Sequence, residues 1–222
     1  MKDIIWKKII IGFFIPLILL LIFCFIRLYQ TPKLVENCKL KDICDKLETG
    51  DLLFVRYNSK WGKIISIGTL VDLSHSAFVY KQNKDVFIIE MSDYTNYDEP
   101  DVEKLKGLCI IKLDKWISLN KGRICIWKKY FGDKKINENK INKIIKKYKN
   151  INLDMDLLNW SSVFFKNKNK KEIKTDYFCS EFIALLLQKL KILNDYYDPS
   201  FYSPAKLTNI KNYSEMKIFN ID

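Results

Sequence analysis

From Ile9 to Ile26 the chain reads IIIGFFIPLILLLIFCFI, eighteen residues without a charge, bounded by Lys7–Lys8 and Arg27. At about 1.5 Å per residue, a helix of that length spans about 27 Å, close to one hydrocarbon core. Pro16 would break a soluble helix but is tolerated in a membrane span. A cleaved signal peptide has a shorter apolar region followed by a small-x-small site, whereas Arg-Leu-Tyr-Gln-Thr-Pro follows here. The pattern predicts an uncleaved, single-pass membrane anchor within residues 1–30 and hence a membrane localisation. Lys2, Lys7 and Lys8 precede the span and Arg27, Lys33, Lys39 and Lys41 follow it, so the flanking charges select no orientation.

Residues 31–47 read as a polar juxtamembrane linker, and residues 48–222 as one soluble domain. Thr49-Gly50-Asp51 punctuates the start of a β run, DLLFVRY. Two short runs follow, Ala77 to Tyr80 and Val86 to Glu90, with polar Lys81 to Asp85 between them at hairpin length. Leu108 to Leu113 and Arg123 to Trp127 are also β-like, while 60–73 is mixed. The period then changes. Ile141, Ile144, Ile145 and Tyr148 recur at i, i+3, i+4 and i+7, one face of an amphipathic helix. Phe178 to Leu190 is apolar enough for a buried helix, with Asp176 its expected N-cap. Strands flanked by helices, without βαβ alternation, predict an α+β domain.

Composition changes this picture in three ways. Hydrophobic residues make up 48% of the 222 positions, which excludes global disorder. Seven Gly and five Pro exclude collagen-like and low-complexity architectures. The single histidine, His75, excludes zinc sites built from two or three His, and any acid–base histidine must be that residue.

The net charge of +12 is concentrated. Lys128 to Asn150 carries nine Lys against Asp133 and Glu138, and Lys166 to Lys174 carries five Lys against Glu172. Base-stacking motifs are absent, so these stretches read as solvated helix faces, with attraction to an anionic membrane surface next and nucleic acid disfavoured. Of the six cysteines, Cys24 lies in the apolar span. Cys109 and Cys125 sit in apolar runs as ordinary buried thiols, and Cys38 and Cys44 are close enough in sequence to bridge without any need to.

Three residues stand out for their chemistry. Cys179, at the start of the Phe178–Leu190 helix, would feel the positive end of the macrodipole, which favours thiolate, beside unpaired backbone N–H groups that can hold an oxyanion. His75 immediately precedes an apolar strand. Glu90 ends the next strand of the hairpin, from which it could orient the imidazole. A nucleophilic Cys, a His and an acid form the Cys–His–polar constellation.

In this order and context the chain resembles the circularly permuted papain-like cysteine hydrolases of the NlpC superfamily, in particular the bacterial YiiX/YaeF group and its poxvirus relatives. Gly50-Asp51-Leu52-Leu53-Phe54 is similar to the opening strand of that family, and Ser74-His75-Ser76 to its histidine strand. Ile88-Ile89-Glu90 is similar to the strand of the third residue, Tyr177-Phe178-Cys179-Ser180-Glu181 to the nucleophile helix, and Tyr202-Ser203-Pro204 to a downstream element. The resemblance covers about residues 48 to 208. Met91 replaces the small residue often found after the acid, the basic insertion at Lys166 to Lys174 precedes the nucleophile, and the Asn-Cys-Glu-His-Phe signature of the retinol-acyltransferase branch is missing.

The resemblance implies an antiparallel sheet packed on helices and a hydrolase with Cys179 as nucleophile, His75 as base and Glu90 as orienting acid. It requires no metal or cofactor. The substrate would be a peptide or other amide. A lipid-directed thioesterase, phospholipase or acyltransferase using the same residues, and a tethered binding module without turnover, are the rival readings. Lys-, Asn- and Ile-rich composition together with poxvirus-type relatives suggests a large DNA virus and a viral or host-derived membrane. Nothing in the pattern specifies an oligomeric state.

Overall fold

The computed structural model describes residues 39–57, 62, 73–94, 106–156, 174–214 and 217–221, with Phe14, Ile18, Leu19 and Ile22. The chain enters through a 3-10 helix (Leu40–Lys46) and continues into strands β1 (Leu52–Arg56), β2 (His75–Gln82), β3 (Asp85–Asp93) and β4 (Lys106–Lys112). Then come α1 (Leu113–Leu119), β5 (Ile124–Lys128), α2 (Glu138–Tyr148), the short β6 (Asn152–Leu153) and β7 (Asp176–Tyr177), and α3 (Cys179–Lys189). A 3-10 turn (Pro199–Phe201), α4 (Pro204–Leu207) and β8 (Lys217–Asn220) close the order.

Six strands form one sheet in the order β4-β3-β2-β1-β5-β8, every neighbour antiparallel. The expected α+β class, with an antiparallel sheet packed on helices, is what the described residues form. Leu52, Phe54, Phe78, Ile89 and Met91 point to one face, where α2 and α3 pack. Leu53, Val55, Ala77, Val79 and Ile88 point to the other, where the 3-10 helix and Trp116 of α1 pack. With both faces covered, β1 is buried along nearly its whole length, which is why it reads as a continuous apolar run.

The domain begins earlier than residue 48. Leu40, Ile43 and Leu47, in the stretch read as a linker, are buried in the second core, and Lys39 bridges to Asn220. Their i, i+3, i+7 spacing is helical and was hidden by intervening charges. The predicted anchor, Ile9 to Ile26, lies outside the described residues except for Phe14, Ile18, Leu19 and Ile22, which are helical and exposed. Among the described residues no helix is long and apolar enough to cross a membrane.

Gly50-Asp51 is more than turn punctuation. Gly50 has φ +107°, and a Cβ there would collide with Ile136. Asp51 is fully buried: Oδ1 accepts from Tyr130 N, and Oδ2 accepts from Glu48 N and from Trp127 Nε1 at 2.9 Å. It thus ties the start of β1 to the end of β5. Asn cannot replace it, because both oxygens accept. Asp51→Ala should cost about 3 kcal/mol, since buried donors are left unpaired, and a denaturant midpoint unchanged from wild type would contradict that role.

Candidate active site

Cys179 is the first residue of α3. Asp176, the expected N-cap, instead pairs with Asn152 in β7, and extended Phe178 (φ −83°, ψ 166°) takes the cap position without a side-chain bond. Glu181, two residues after Cys179, is buried and paired to Lys174; burial pushes its carboxyl up to about 7 despite that lysine. Downstream, Ser203 caps α4 by accepting from Lys206 N, with Pro204 opening the helix.

His75 begins β2 and Glu90 lies within β3. The register Phe78↔Ile89 puts Glu90 beside the same end of β2 as His75, and both side chains are buried. His75 Nε2 is 2.7 Å from Glu90 Oε2. A carboxylate only accepts, so Nε2 carries the hydrogen and Nδ1 is left for another partner. α3 packs on β2 and β3, bringing half-buried Cys179 to the start of β2, where its Sγ lies 3.9 Å from Ser74 O. The side chains of Cys179 and His75 lie close enough there for each to shift the titration of the other. The structure thus brings Cys179, His75 and Glu90 to one place.

The charges of the three depend on one another. Burial alone would raise the Cys179 thiol, but the imidazolium of His75 and the backbone N–H groups of Ser76 and Ser180 hold it below its ordinary value. Burial alone would lower His75, but Cys179 and Glu90 outweigh it and raise the ring to about 10. Glu90 is likewise lowered against burial by His75, Tyr94 and Trp116. All three shifts favour the charged forms: a thiolate beside an imidazolium, backed by a carboxylate.

Stability inherits these shifts. His75, raised from 6.5 to about 10, contributes stability fully present below pH 6.5 and lost as pH rises toward about 10. Cys179, lowered from 9.0, contributes stability present above pH 9.0 and lost as pH falls through its folded value. Between pH 6.5 and 9.0 the two slopes oppose, since the folded protein keeps one proton on the pair and so does the unfolded chain. Thermal unfolding should therefore show a plateau in the part of that window above the titration of Glu181 at about 7 and below pH 9.0. A steady slope across that window would mean the two groups are not coupled.

Several supports of this cluster had no signal in the sequence. Tyr94 Oη donates to Glu90 Oε1, and Trp116 Nε1 donates to Oε2 at 3.0 Å. Asn120 Nδ2 donates to Tyr94 Oη, and Arg123 donates to Asn120 Oδ1. Tyr57 stacks on the His75 ring at 5.0 Å, and Arg123 lies 4.1 Å over Tyr57, closing the ring of contacts. They converge from the end of β1, the end of β3, α1 and the turn after it. Cys109 and Cys125 are buried thiols as expected, raised to about 12 and further still, and Cys44 is a free thiol.

No family model matches the chain, and no curated protein matches it in sequence. Among solved structures, the crystal structure of metalloprotein YiiX from Escherichia coli O157:H7 is similar, with a TM-score of 0.53 at 16% identity. The match covers 75% of this chain and 94% of YiiX. The chain has the YiiX fold. In chain order the strands of His75 and Glu90 precede the helix of Cys179, as the motifs led us to expect.

Proposed function

We propose that this YiiX-like chain is a membrane-anchored cysteine hydrolase that cleaves amide bonds, with Cys179 as nucleophile, His75 as acid–base and Glu90 as the group that orients the ring. One observation carries the reading: the buried 2.7 Å contact of His75 Nε2 with Glu90, which leaves Nδ1 for Cys179 at a helix start. The Cys179 thiolate attacks a carbonyl carbon, and the oxyanion takes the Cys179 backbone N–H. The imidazolium gives its proton to the leaving amine as the C–N bond breaks. Water, deprotonated by His75, then cleaves the thioester and returns a carboxylic acid and the resting pair. Attachment through Ile9 to Ile26 is part of the same reading.

YiiX is described as a metalloprotein. The donors at this site do not fit a metal: both Glu90 oxygens and His75 Nε2 are committed to one another, Tyr94 and Trp116. Among the described residues no cluster of three or more His, Cys, Asp or Glu could hold an ion.

Matched amide and ester reporters with the same acyl group separate this reading from a lipid-directed one. Release of amine from the amide, abolished in Cys179→Ser, is expected. Cleavage of long-chain esters alone would make the protein an acyl-lipid enzyme, and turnover of neither with an unreactive Cys179 would make it a binding module.

A further inference from the structure

We propose that the end of the domain opposite the candidate site is a docking surface for an anionic lipid bilayer, so that the site faces away from the membrane. The surface is built from three neighbouring segments. Phe131, 63% exposed, sits between Lys129 and Lys134–Lys135, all exposed. Lys134 Nζ donates to Lys191 O, which brings in exposed Lys189, Lys191 and Tyr196, the last 56% exposed. Phe131 N donates to Asn212 O, which brings in exposed Lys211. The acids interspersed with these six lysines are Asp133 and Asp195.

Two independent elements put this cluster far from Cys179. In the sheet, Val55 pairs with His75 and Cys125 at one end, while Leu52 pairs with Phe78 and Lys128 at the other. β5 therefore runs from the site end toward Lys129 and Phe131. Across the sheet face, α3 starts with Cys179 and ends at Lys189. Each element spans about 15 Å, so both place the basic end about that far from the thiol.

An exposed Phe ringed by lysines suits the interface of an anionic bilayer, where the ring enters the headgroup boundary and the ammonium groups meet phosphate and carboxylate. A nucleic acid would satisfy the charge as well. The bilayer is favoured because the same chain carries the charge-free run Ile9 to Ile26. Lys39 pairs with Asn220, which pairs with Ile124, so among the described residues the domain begins at the site end. Docking of the basic end turns the site away from the lipid. The docking stands independently of the hydrolase reading. Its consequence, a substrate taken from solvent rather than from the lipid layer, rests on it.

The test is lysine acetylation, mapped by mass spectrometry, on the full-length chain mixed with phosphatidylcholine vesicles with and without phosphatidylserine. Lys134, Lys135 and Lys189 should be protected about fivefold or more only with phosphatidylserine, and high salt should remove the protection. Lys121, exposed in the turn before Arg123 at the site end, should react equally in both. Phe131→Ser combined with Lys135→Glu should lose the protection while keeping the wild-type melting temperature. Equal reactivity of the patch in both lipids, protection of Lys121 instead, or protection by RNA and not by phosphatidylserine would each overturn the proposal. None of these outcomes depends on whether the thiol is catalytic.

Discussion

Replacing His75 with Ala should slow alkylation of Cys179 by iodoacetamide at pH 6 about tenfold, and the difference should narrow only at pH values above the about 8.5 of a free thiol, where the raised thiol of the variant ionises. The size follows from two opposing effects. The imidazolium is the main charge holding the Cys179 thiolate, so without it burial raises the thiol and little thiolate remains at pH 6. Intrinsic nucleophilicity falls as a thiol becomes more acidic, which cancels about half of the gain on a logarithmic scale. In the wild type Cys179 should react ahead of Cys44, whose thiol is raised by burial and by Asp114 and Asp45 and donates to Leu40 O. Mass mapping of the alkylated peptide checks both statements. Equal labelling of the two thiols, insensitive to His75→Ala, would leave Cys179 an ordinary cysteine.

Glu90→Ala should be the most damaging substitution in the site, costing about 4 kcal/mol of stability. Glu90 is completely buried, and Tyr94 Oη, Trp116 Nε1 and His75 Nε2 all donate to it, so truncation leaves three buried donors facing a void. Glu90→Gln separates structure from chemistry. Its amide keeps an acceptor for Trp116 and His75 but turns a donor toward Tyr94 Oη, so the melting temperature should fall less than in Glu90→Ala. It removes one of the two charges that raise His75, the other being that of Cys179, so Cys179 should still alkylate several-fold more slowly at pH 6. A Gln variant with wild-type thiol reactivity would reduce Glu90 to a packing residue.

The strand pattern and the order His75, Glu90, Cys179 were legible because each rests on local signals: period-two apolar runs, a hairpin-length polar gap and a thiol at the start of an apolar helix. What escaped was non-local. α1 is only seven residues long and follows β4 without a turn residue, so in the sequence Leu113 continues the apolar run of a strand and Trp116 has no visible role. β8 pairs with β5 across about ninety residues, and no local pattern announces such a partner. Tyr94, Asn120, Arg123 and Tyr57 matter through contacts with one another, which a single sequence does not display. The burial of residues 40–47 is hidden for a different reason. Leu40, Ile43 and Leu47 did carry a helical spacing, but the lysines and aspartates between them gave the segment a polar average.

The central claim, that Cys179, His75 and Glu90 form a hydrolytic centre, is met most directly by intact-mass measurement after brief exposure to a panel of amide and ester acyl donors. The wild-type protein is expected to carry a single acyl group, removable by hydroxylamine as a thioester is, mapped to Cys179 and absent from His75→Ala. Acyl transfer to Cys44 at the same rate, or a Cys179 that stays unacylated by every donor while the protein is folded, would contradict it.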